Sequence, residues 1–358
     1  MLFTSIIIEL GDKRTVIKKG LLDMRYVTIN EIKSGMILAS ALYNNSGTIL
    51  LNANKALTPT IITRLKSLGY NGLYIYDDMN TERYEMLLND DIRINAIRNL
   101  KHINIDNCLF IANKITNEIL KNPDVMYELM TISSYDNITY MHSVNVAILA
   151  TMIGIDMGLD TDTLYKLSQA ALMHDIGKTM IDYDIINKDG KLDPDEIEEV
   201  HRHPYYGYML LKNNSNISSI VRNAIYAHHE NEDGSGYPRG IKSENIHITA
   251  KIIHVADVYD ALTSQRSYKE RYNPSDAIDF LLSNTNKMFN ENVVKALMSC
   301  VALYPIGTEV KLSDGRHAIV TKNHKHFPTR PKVMLADGEV IDLMKIIDIT
   351  IVELITEM

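Results

Sequence analysis

The feature that most constrains the fold is a set of histidines and aspartates spread between residues 142 and 257. His174 and Asp175 are adjacent within the segment 170–178, and a histidine doublet follows at 228–229. The full set is His142, His174, Asp175, His203, His228, His229 and Asp257. Imidazole and carboxylate groups without a thiolate suit Fe, Mn, Co, Ni or Zn. A fold that brings these side chains together would make a site for divalent metals.

The segments around these residues have helical periodicity. The predicted helices are Val144–Ile155, Asp162–Met173, Pro194–Leu211, Ile217–His228, Ile248–Leu262 and Pro274–Leu282. Adjacent residues on a helix point about 100° apart, so His174 and Asp175 can reach one cluster only at a helix end or in a bundle core. Asp257 lies in an apolar segment, where burying a carboxylate is costly unless a metal or another group pairs with it.

Two other interpretations compete with this metal cluster. An isolated histidine on a helix is usually an ordinary core or surface residue, and we interpret six others in that way: His102, His247, His254, His317, His324 and His326. Residues 187–190 with Glu196 imitate part of a calcium loop, but its first ligand position would be Ile185, which cannot ligate. Asp193-Pro194 followed by acidic residues is better explained as the start of a helix.

The flanking segments differ from the helical central segment in their sequence pattern. Residues 25–78 predict a small α/β unit, with strand-like Met36–Leu42 and Thr48–Leu51 joined by a turn, a helix from Thr58 to Leu68-Gly69, and a returning strand at Gly72–Tyr76. Beyond Pro305, short β-prone runs alternate with turns.

The expected fold is mainly α. Its parts are a 1–78 N-terminal α/β unit that regulates or dimerises, a 79–130 helical connector, a 131–303 helical domain and a 304–358 β appendage. Residues 1–23 are a candidate extension before a natural start at Met24.

Composition excludes several classes of protein. The net charge of −8 argues against a nucleic-acid polymer as the main partner, although metals and local cations would still allow a small anionic ligand. The apolar run at Val146–Ile155 is shorter than the roughly 18 residues of a membrane span. No signal peptide is evident. Cys108 and Cys300 have no metal-binding spacing and are expected to be reduced. A cytoplasmic protein without a membrane span is predicted.

Four segments of this sequence together resemble the HD-GYP family of metal-dependent phosphohydrolases within the HD superfamily. They are His-Asp-Ile-Gly-Lys at 174–178, His-Pro-Tyr-Tyr-Gly at 203–207, His-His-Glu-Asn-Glu-Asp-Gly-Ser-Gly-Tyr-Pro at 228–238, and Ala-Asp-Val-Tyr-Asp-Ala-Leu-Thr-Ser-Gln-Arg-Ser-Tyr-Lys at 256–269. The resemblance covers residues 131–303. It implies an all-helical catalytic domain that hydrolyses cyclic di-GMP to linear pGpG, with further cleavage to GMP left open.

The resemblance also implies how the metals are held. One ion would take His142, His174, Asp175 and Asp257, and a second would share Asp175 and add His203, His228 and His229. Some relatives bind a third ion through a glutamate four residues before the first histidine, where this chain has Ile138. The expected cofactors are therefore two divalent transition-metal ions per chain, Fe or Mn, which together activate a hydroxide for attack on phosphorus.

Substrate contacts are implied at two places. Lys178 would point at a phosphate, and Arg266 with Lys269 would bind phosphate, although without the resemblance these two are ordinary exposed charges. Gly236, Tyr237 and Pro238 belong to a loop that contacts either substrate or diguanylate cyclase domains. Tyr237 could stack, donate a hydrogen bond or simply pack. Two alternatives to cyclic di-GMP hydrolysis stay open: a phosphodiesterase for another cyclic dinucleotide such as cyclic GMP-AMP, and a non-catalytic cyclic di-GMP sensor.

Overall fold

Helices dominate the computed structural model, which describes residues 6–10, 13–17, 23–39, 42–43, 49–68, 70, 72–77, 90–121, 126, 138–188, 190–264, 272–304, 306 and 308–355. The helices are α1 (Pro59–Ser67), α2 (Asp90–Lys101), α3 (Ile105–Lys121), α4 (Ile138–Asp156), α5 (Thr161–Leu172), α6 (Tyr183–Ile186), α7 (Pro194–Val200), α8 (His203–Leu211), α9 (Ser219–Ala227), α10 (Ile248–Thr263), α11 (Pro274–Ser283) and α12 (Glu291–Cys300). The prediction of a mainly α fold is confirmed.

The strands lie in the two flanking segments. They are β1 (Ile6–Leu10), β2 (Lys13–Ile17), β3 (Asp23–Thr28), β4 (Ile37–Leu38), β5 (Leu42–Tyr43), β6 (Ile49–Leu51), β7 (Gly72–Asp77), β8 (Glu309–Leu312), β9 (His317–Lys322), β10 (Lys332–Leu335), β11 (Val340–Asp342) and β12 (Ile351–Leu354). The C-terminal strands form one antiparallel sheet in the order β11-β10-β9-β8-β12. It buries alternate residues such as Val310 and Leu312 over a separate small core.

The helical core is built around α4. Residues 141–154 of this helix are buried without a break, and α2, α3, α5, α10 and α12 pack against it. A helix that is apolar on every side has to be enclosed by other helices. Its few polar side chains, His142 and Asn145 among them, are buried as well and therefore need partners. One partner helix is α10, which carries Asp257 across from His142.

The predicted helix Pro194–Leu211 is wrong, because the chain forms two helices there. α7 ends at Val200, and α8 starts at His203 with Pro204 in its first turn. A proline in mid-helix removes a backbone donor and clashes with the preceding turn, whereas the first turn tolerates it. His203 therefore begins a helix instead of lying near the middle of one. α12, whose first turn is capped by Asn290, was not among the predicted helices.

The predicted helix start at Asp193 is confirmed. Its side chain accepts a hydrogen bond from the Glu196 backbone N–H at 2.9 Å, and Glu196 accepts one from the Asp193 N–H at 2.8 Å. Lys188 pairs with the same Glu196 carboxylate at 2.6 Å. Because this carboxylate is occupied by a cap and an ion pair, the local geometry favours a capping box over a calcium ligand.

The N-terminal unit has its own small core of residues such as Val27, Leu38, Leu57 and Ile75. The predicted strand Met36–Leu42 is wrong as a single element, because β4 pairs with β7 while β5 pairs with β6. β3, which also pairs with β7, was not predicted. The predicted turn at 44–47 and Gly69 lie outside the described residues.

Candidate metal centre

Helix ends and one helix interior bring the seven predicted ligands together. His142 lies near the start of α4, and Asp257 lies within α10. His174 and Asp175 follow the end of α5 and precede a 3₁₀ turn at Ile176–Met180. His203 begins α8, whereas His228 caps the end of α9 and His229 follows it. Since the His174-Asp175 pair lies beyond a helix end, both side chains face the same interior.

Three of the histidines are oriented by the same local contact. The ring Nδ1 lies 2.8 Å from the Ala171 carbonyl in His174, 2.7 Å from the Val200 carbonyl in His203 and 2.7 Å from the Ile225 carbonyl in His228. A carbonyl only accepts, so each Nδ1 carries the proton and donates it. Each Nε2 is then left with a lone pair, which is the form of imidazole that binds a metal.

Asp175 lies between two groups of histidines. Its Oδ2 is 3.4 Å from His174 Nε2, and its Oδ1 is 3.3 Å from His203 Nε2. In each of three sets of residues, the potential ligand atoms lie within 4.8 Å of one another. The sets are His203 with His228 and His229, His142 with His174 and Asp175, and His174 with His228 and Asp257. The two oxygens of Asp175 thus face the two halves of the cluster.

Asp257 also reaches both halves. Its Oδ1 is 2.9 Å from His142 Nε2 and 3.9 Å from His174 Nε2, while its Oδ2 is 3.9 Å from His229 Nδ1. The resemblance assigned Asp257 to the first ion alone. The geometry places this carboxylate also beside His229, which the resemblance assigned to the second ion.

The polar atoms of this interior fit divalent cations. His174 Nε2 and Asp175 Oδ1 are buried and have no hydrogen-bond partner among the described residues. The Nε2 atoms of His203 and His228 are only 3.2 Å apart, although both Nδ1 atoms already hold the ring proton. Buried lone pairs that face one another repel unless a cation or a proton lies between them. This donor set of imidazoles and carboxylates is suited to transition metals.

Burial and neighbouring charges set the ionisation of the ligands. Burial raises the pKa of Asp175, but Lys178 and His174 outweigh it and hold the pKa well below its usual range. Burial also opposes ionisation of Asp257, and His142 holds that pKa well below its usual range. Burial lowers the pKa of His203 to about 4. The carboxylates are therefore ionised and His203 is neutral at pH 7, as metal ligands must be.

Two supporting residues were not found from the sequence. Asp260 is fully buried, and its Oδ2 lies 2.7 Å from His142 Nδ1 while its Oδ1 accepts a hydrogen bond from Asn145 at 3.0 Å. Glu230 accepts hydrogen bonds from the backbone N–H groups of Arg239 at 2.9 Å and Ile241 at 3.1 Å. Asp260 could have been inferred, since it lies one helical turn beyond Asp257. Glu230 had no such signal, because its partners are backbone groups.

The predicted substrate contacts have mixed outcomes. Lys178 donates to Asp175 Oδ2 at 2.6 Å and is 30% exposed, so it lies at the edge of the cluster. Arg266 and Lys269 lie outside the described residues. Gly236 approaches the backbone so closely that an added Cβ would lie 2.3 Å from the His229 carbonyl oxygen. Tyr237 stacks on His229 with ring centroids 4.7 Å apart, and Pro238 follows it in the loop.

Four of the histidines outside the cluster lie in ordinary surroundings. His254 packs edge-on against Phe289, and His247 caps the start of α10. His317 pairs with Glu309 and His324 with Asp342 in the C-terminal segment. Within the part of the chain that the structure describes, no helix is long and apolar enough to cross a membrane.

Comparison with known proteins agrees with this geometry. The family model for the HD domain matches residues 125–293. A cyclic di-GMP phosphodiesterase of Pseudomonas aeruginosa is 35% identical over 62% of this chain and 54% of its own length. A 3'3'-cGAMP-specific phosphodiesterase of Vibrio cholerae is 34% identical over 46% of this chain and 35% of its own length. The chain thus spans about half, or less, of the length of these curated relatives.

A solved structure shares the fold. The HDG"Y"P protein of Bdellovibrio bacteriovorus aligns with a TM-score of 0.52 at 18% identity, covering 77% of this chain and 98% of that one. The fold is thus shared with a solved structure, and the HD-domain match at residues 125–293 spans the histidine and aspartate cluster. The resemblance of the four motifs to the HD-GYP family is confirmed by these matches.

Proposed function

We propose that this protein is a two-metal phosphodiesterase that hydrolyses cyclic di-GMP to linear pGpG. The observation that carries the proposal is the convergence of imidazole nitrogens and two carboxylates on one buried interior. Relatives named as cyclic di-GMP phosphodiesterases support the choice of substrate. A non-catalytic sensor would not need all seven ligands, so their retention favours an enzyme.

The ligands divide between the two proposed ions along the two faces of Asp175. His142 and His174 would hold the first ion with Asp175 and Asp257. His203, His228 and His229 would hold the second and share Asp175. Asp257 Oδ2 is oriented toward His229 and would assist there. We infer two ions and not three, because Ile138 lies one turn before His142 on α4 and supplies no ligand atom.

The bound ions, which we propose to be Fe or Mn, would supply Lewis acidity and lower the pKa of water. The chain's own residues orient the proposed ligands and balance their charge. Backbone carbonyls hold three of the imidazoles with Nε2 inward. Lys178 neutralises part of the charge on Asp175, and its partial exposure lets the ammonium reach a substrate phosphate oxygen. Arg266 and Lys269 would bind the other phosphate of the dinucleotide.

The test is an anaerobic preparation of the full chain loaded with Fe or Mn, with metal content measured and products separated by chromatography. We expect about two ions per chain and pGpG as product. His203→Ala should lose both, whereas His317→Ala, an exposed histidine in the C-terminal sheet, should keep both. Rates on cyclic GMP-AMP measured in parallel decide the preferred substrate. Two bound ions with no linear product from either dinucleotide would contradict the proposal.

A further inference from the structure

Three aromatic rings form a stack against one side of the cluster. Tyr237 is stacked on His201 with centroids 4.0 Å apart and planes inclined by 14°, and on His229 at 4.7 Å and 30°. Two rings cannot occupy the same face at such distances without overlapping, so the histidines cover opposite faces of Tyr237. The tyrosine ring also lies edge-on to His203, at 6.5 Å. Tyr237 therefore contacts two proposed ligands of the second ion.

His201 owes its position to the break between two helices. It caps the end of α7, two residues before His203 begins α8. The side chain is exposed, and its ring stacks on Tyr237. A continuous helix through this region would send residues 201 and 203 about 200° apart. The corner instead lets His203 point inward while His201 lies over the outer face of Tyr237.

Tyr237 is tied to the ligand that it covers. Its backbone N–H donates to the His229 carbonyl at 3.1 Å. Gly236 is packed against the backbone of residues 229–231, with no room for a side chain. The loop backbone is thus held in place, but the ring would still be free to rotate away from His229 if nothing covered its outer face. His201 supplies that cover.

We propose that His201 is a positioning residue that holds Tyr237 flat against His229 and so slows release of the second metal ion. The inference rests on the proposed function only in requiring that a metal binds at this cluster. Aromatic stacking contributes modestly, and its loss corresponds to roughly a three- to tenfold change in a rate or an equilibrium. Because His201 is exposed, its replacement should leave the fold intact.

The test follows Mn²⁺ release from the loaded full chain into excess EDTA, with bound Mn²⁺ measured at intervals after rapid gel filtration. We expect His201→Ala to speed Mn²⁺ release by about three- to tenfold. His201→Phe, which keeps a stacking ring, should restore the release rate to within about twofold of the wild type. In a Tyr237→Ala background, His201→Ala should add nothing further. His317→Ala is the matched control for loss of an exposed histidine.

Three results would overturn the inference. They are equal release from His201→Ala and the wild type, release from His201→Phe as fast as from His201→Ala, or an undiminished effect of His201→Ala when Tyr237 is already absent. Failure of the wild type to bind Mn²⁺ would instead remove the metal centre itself, and this inference with it. The two failures are therefore distinguishable, since only the second abolishes binding.

Discussion

His142 lies between two aspartates on the same face of α10. Its Nε2 is 2.9 Å from Asp257 Oδ1, and its Nδ1 is 2.7 Å from Asp260 Oδ2. Asp257 faces the cluster, whereas Asp260 is held from behind by Asn145. A carboxylate on Nδ1 holds the ring proton there and keeps Nε2 available to a metal.

This arrangement predicts the effect of Asp260→Asn. The new amide can donate to Nδ1, which would shift the ring proton to Nε2 and block ligation. We expect metal affinity to fall about 10- to 100-fold, with little change in the size of the buried side chain. Metal titration of the metal-free protein measures the loss. Asp279→Asn, an exposed position on α11, is the control, and equal affinity in the two variants would show that Asp260 does not set the tautomer.

The same pair of aspartates predicts how stability depends on pH in the metal-free protein. Burial lowers the pKa of His142, but the hydrogen bonds to Asp257 and Asp260 outweigh it and raise the pKa to about 9 from an ordinary value of 6.5. Because this pKa is higher in the folded than in the unfolded chain, protonated His142 stabilises the folded state. The stabilisation is complete below pH 6.5 and disappears as the pH rises through about 9.

We therefore expect the free energy of unfolding of the metal-free protein to fall by on the order of 3 kcal/mol across that pH window. Urea unfolding at a series of pH values measures it. His142→Gln should lack this component, and the metal-loaded wild type should lack it too, because a ligating imidazole is neutral. Parallel pH curves for the metal-free wild type and His142→Gln would contradict the prediction.

We expect a side chain at position 177 to displace the proposed ligand His203. A Cβ added there would lie 2.0 Å from the His203 carbonyl oxygen and 2.4 Å from the Gly207 backbone nitrogen. Backbone atoms cannot yield as a side chain can, so Gly177→Ala should displace the start of α8 and His203 with it. We expect a loss of at least about 2 kcal/mol in unfolding free energy, together with weaker metal binding.

Gly207→Ala is a graded comparison for Gly177→Ala. Its added Cβ would meet Ile225 Cγ2 at 3.0 Å and the nearest backbone atom only at 3.5 Å. Since a methyl group can shift, the loss of stability should be smaller. If both variants unfold at the same urea concentration, the close approach of Gly177 to the backbone of α8 does not account for the loss of stability.

We expect replacement of Lys178 to reduce turnover while leaving metal binding unchanged. Its ammonium lies 2.6 Å from Asp175 Oδ2 and is partly exposed. Lys178→Met removes the charge but keeps the length of the side chain, so two ions should still bind. We expect turnover of cyclic di-GMP to fall by about 100-fold, because a cation that would face the phosphate is lost. Lys191→Met, an exposed lysine, should behave as the wild type. Loss of metal from Lys178→Met would mean that the lysine supports the ligands instead.

Local sequence determined much of this protein. Helical periodicity predicted most helices around the cluster, and a proline and acidic residues predicted the start of α7. The motifs supplied the seven proposed ligands and the resemblance to the HD-GYP family. These features depend on residues close together in the chain, where backbone preference and side-chain type act directly.

Only the tertiary structure decided which groups support those ligands. Asp260 reaches His142 across 118 positions, and Asp257 lies beside ligands of both proposed ions. His201 meets Tyr237 because α7 and α8 turn a corner that helical periodicity had joined into one element. Packing of distant segments places these side chains. Short-range patterns carry no record of which helices come into contact, and so the sequence supplied the proposed ligands while the fold arranged the groups that orient them.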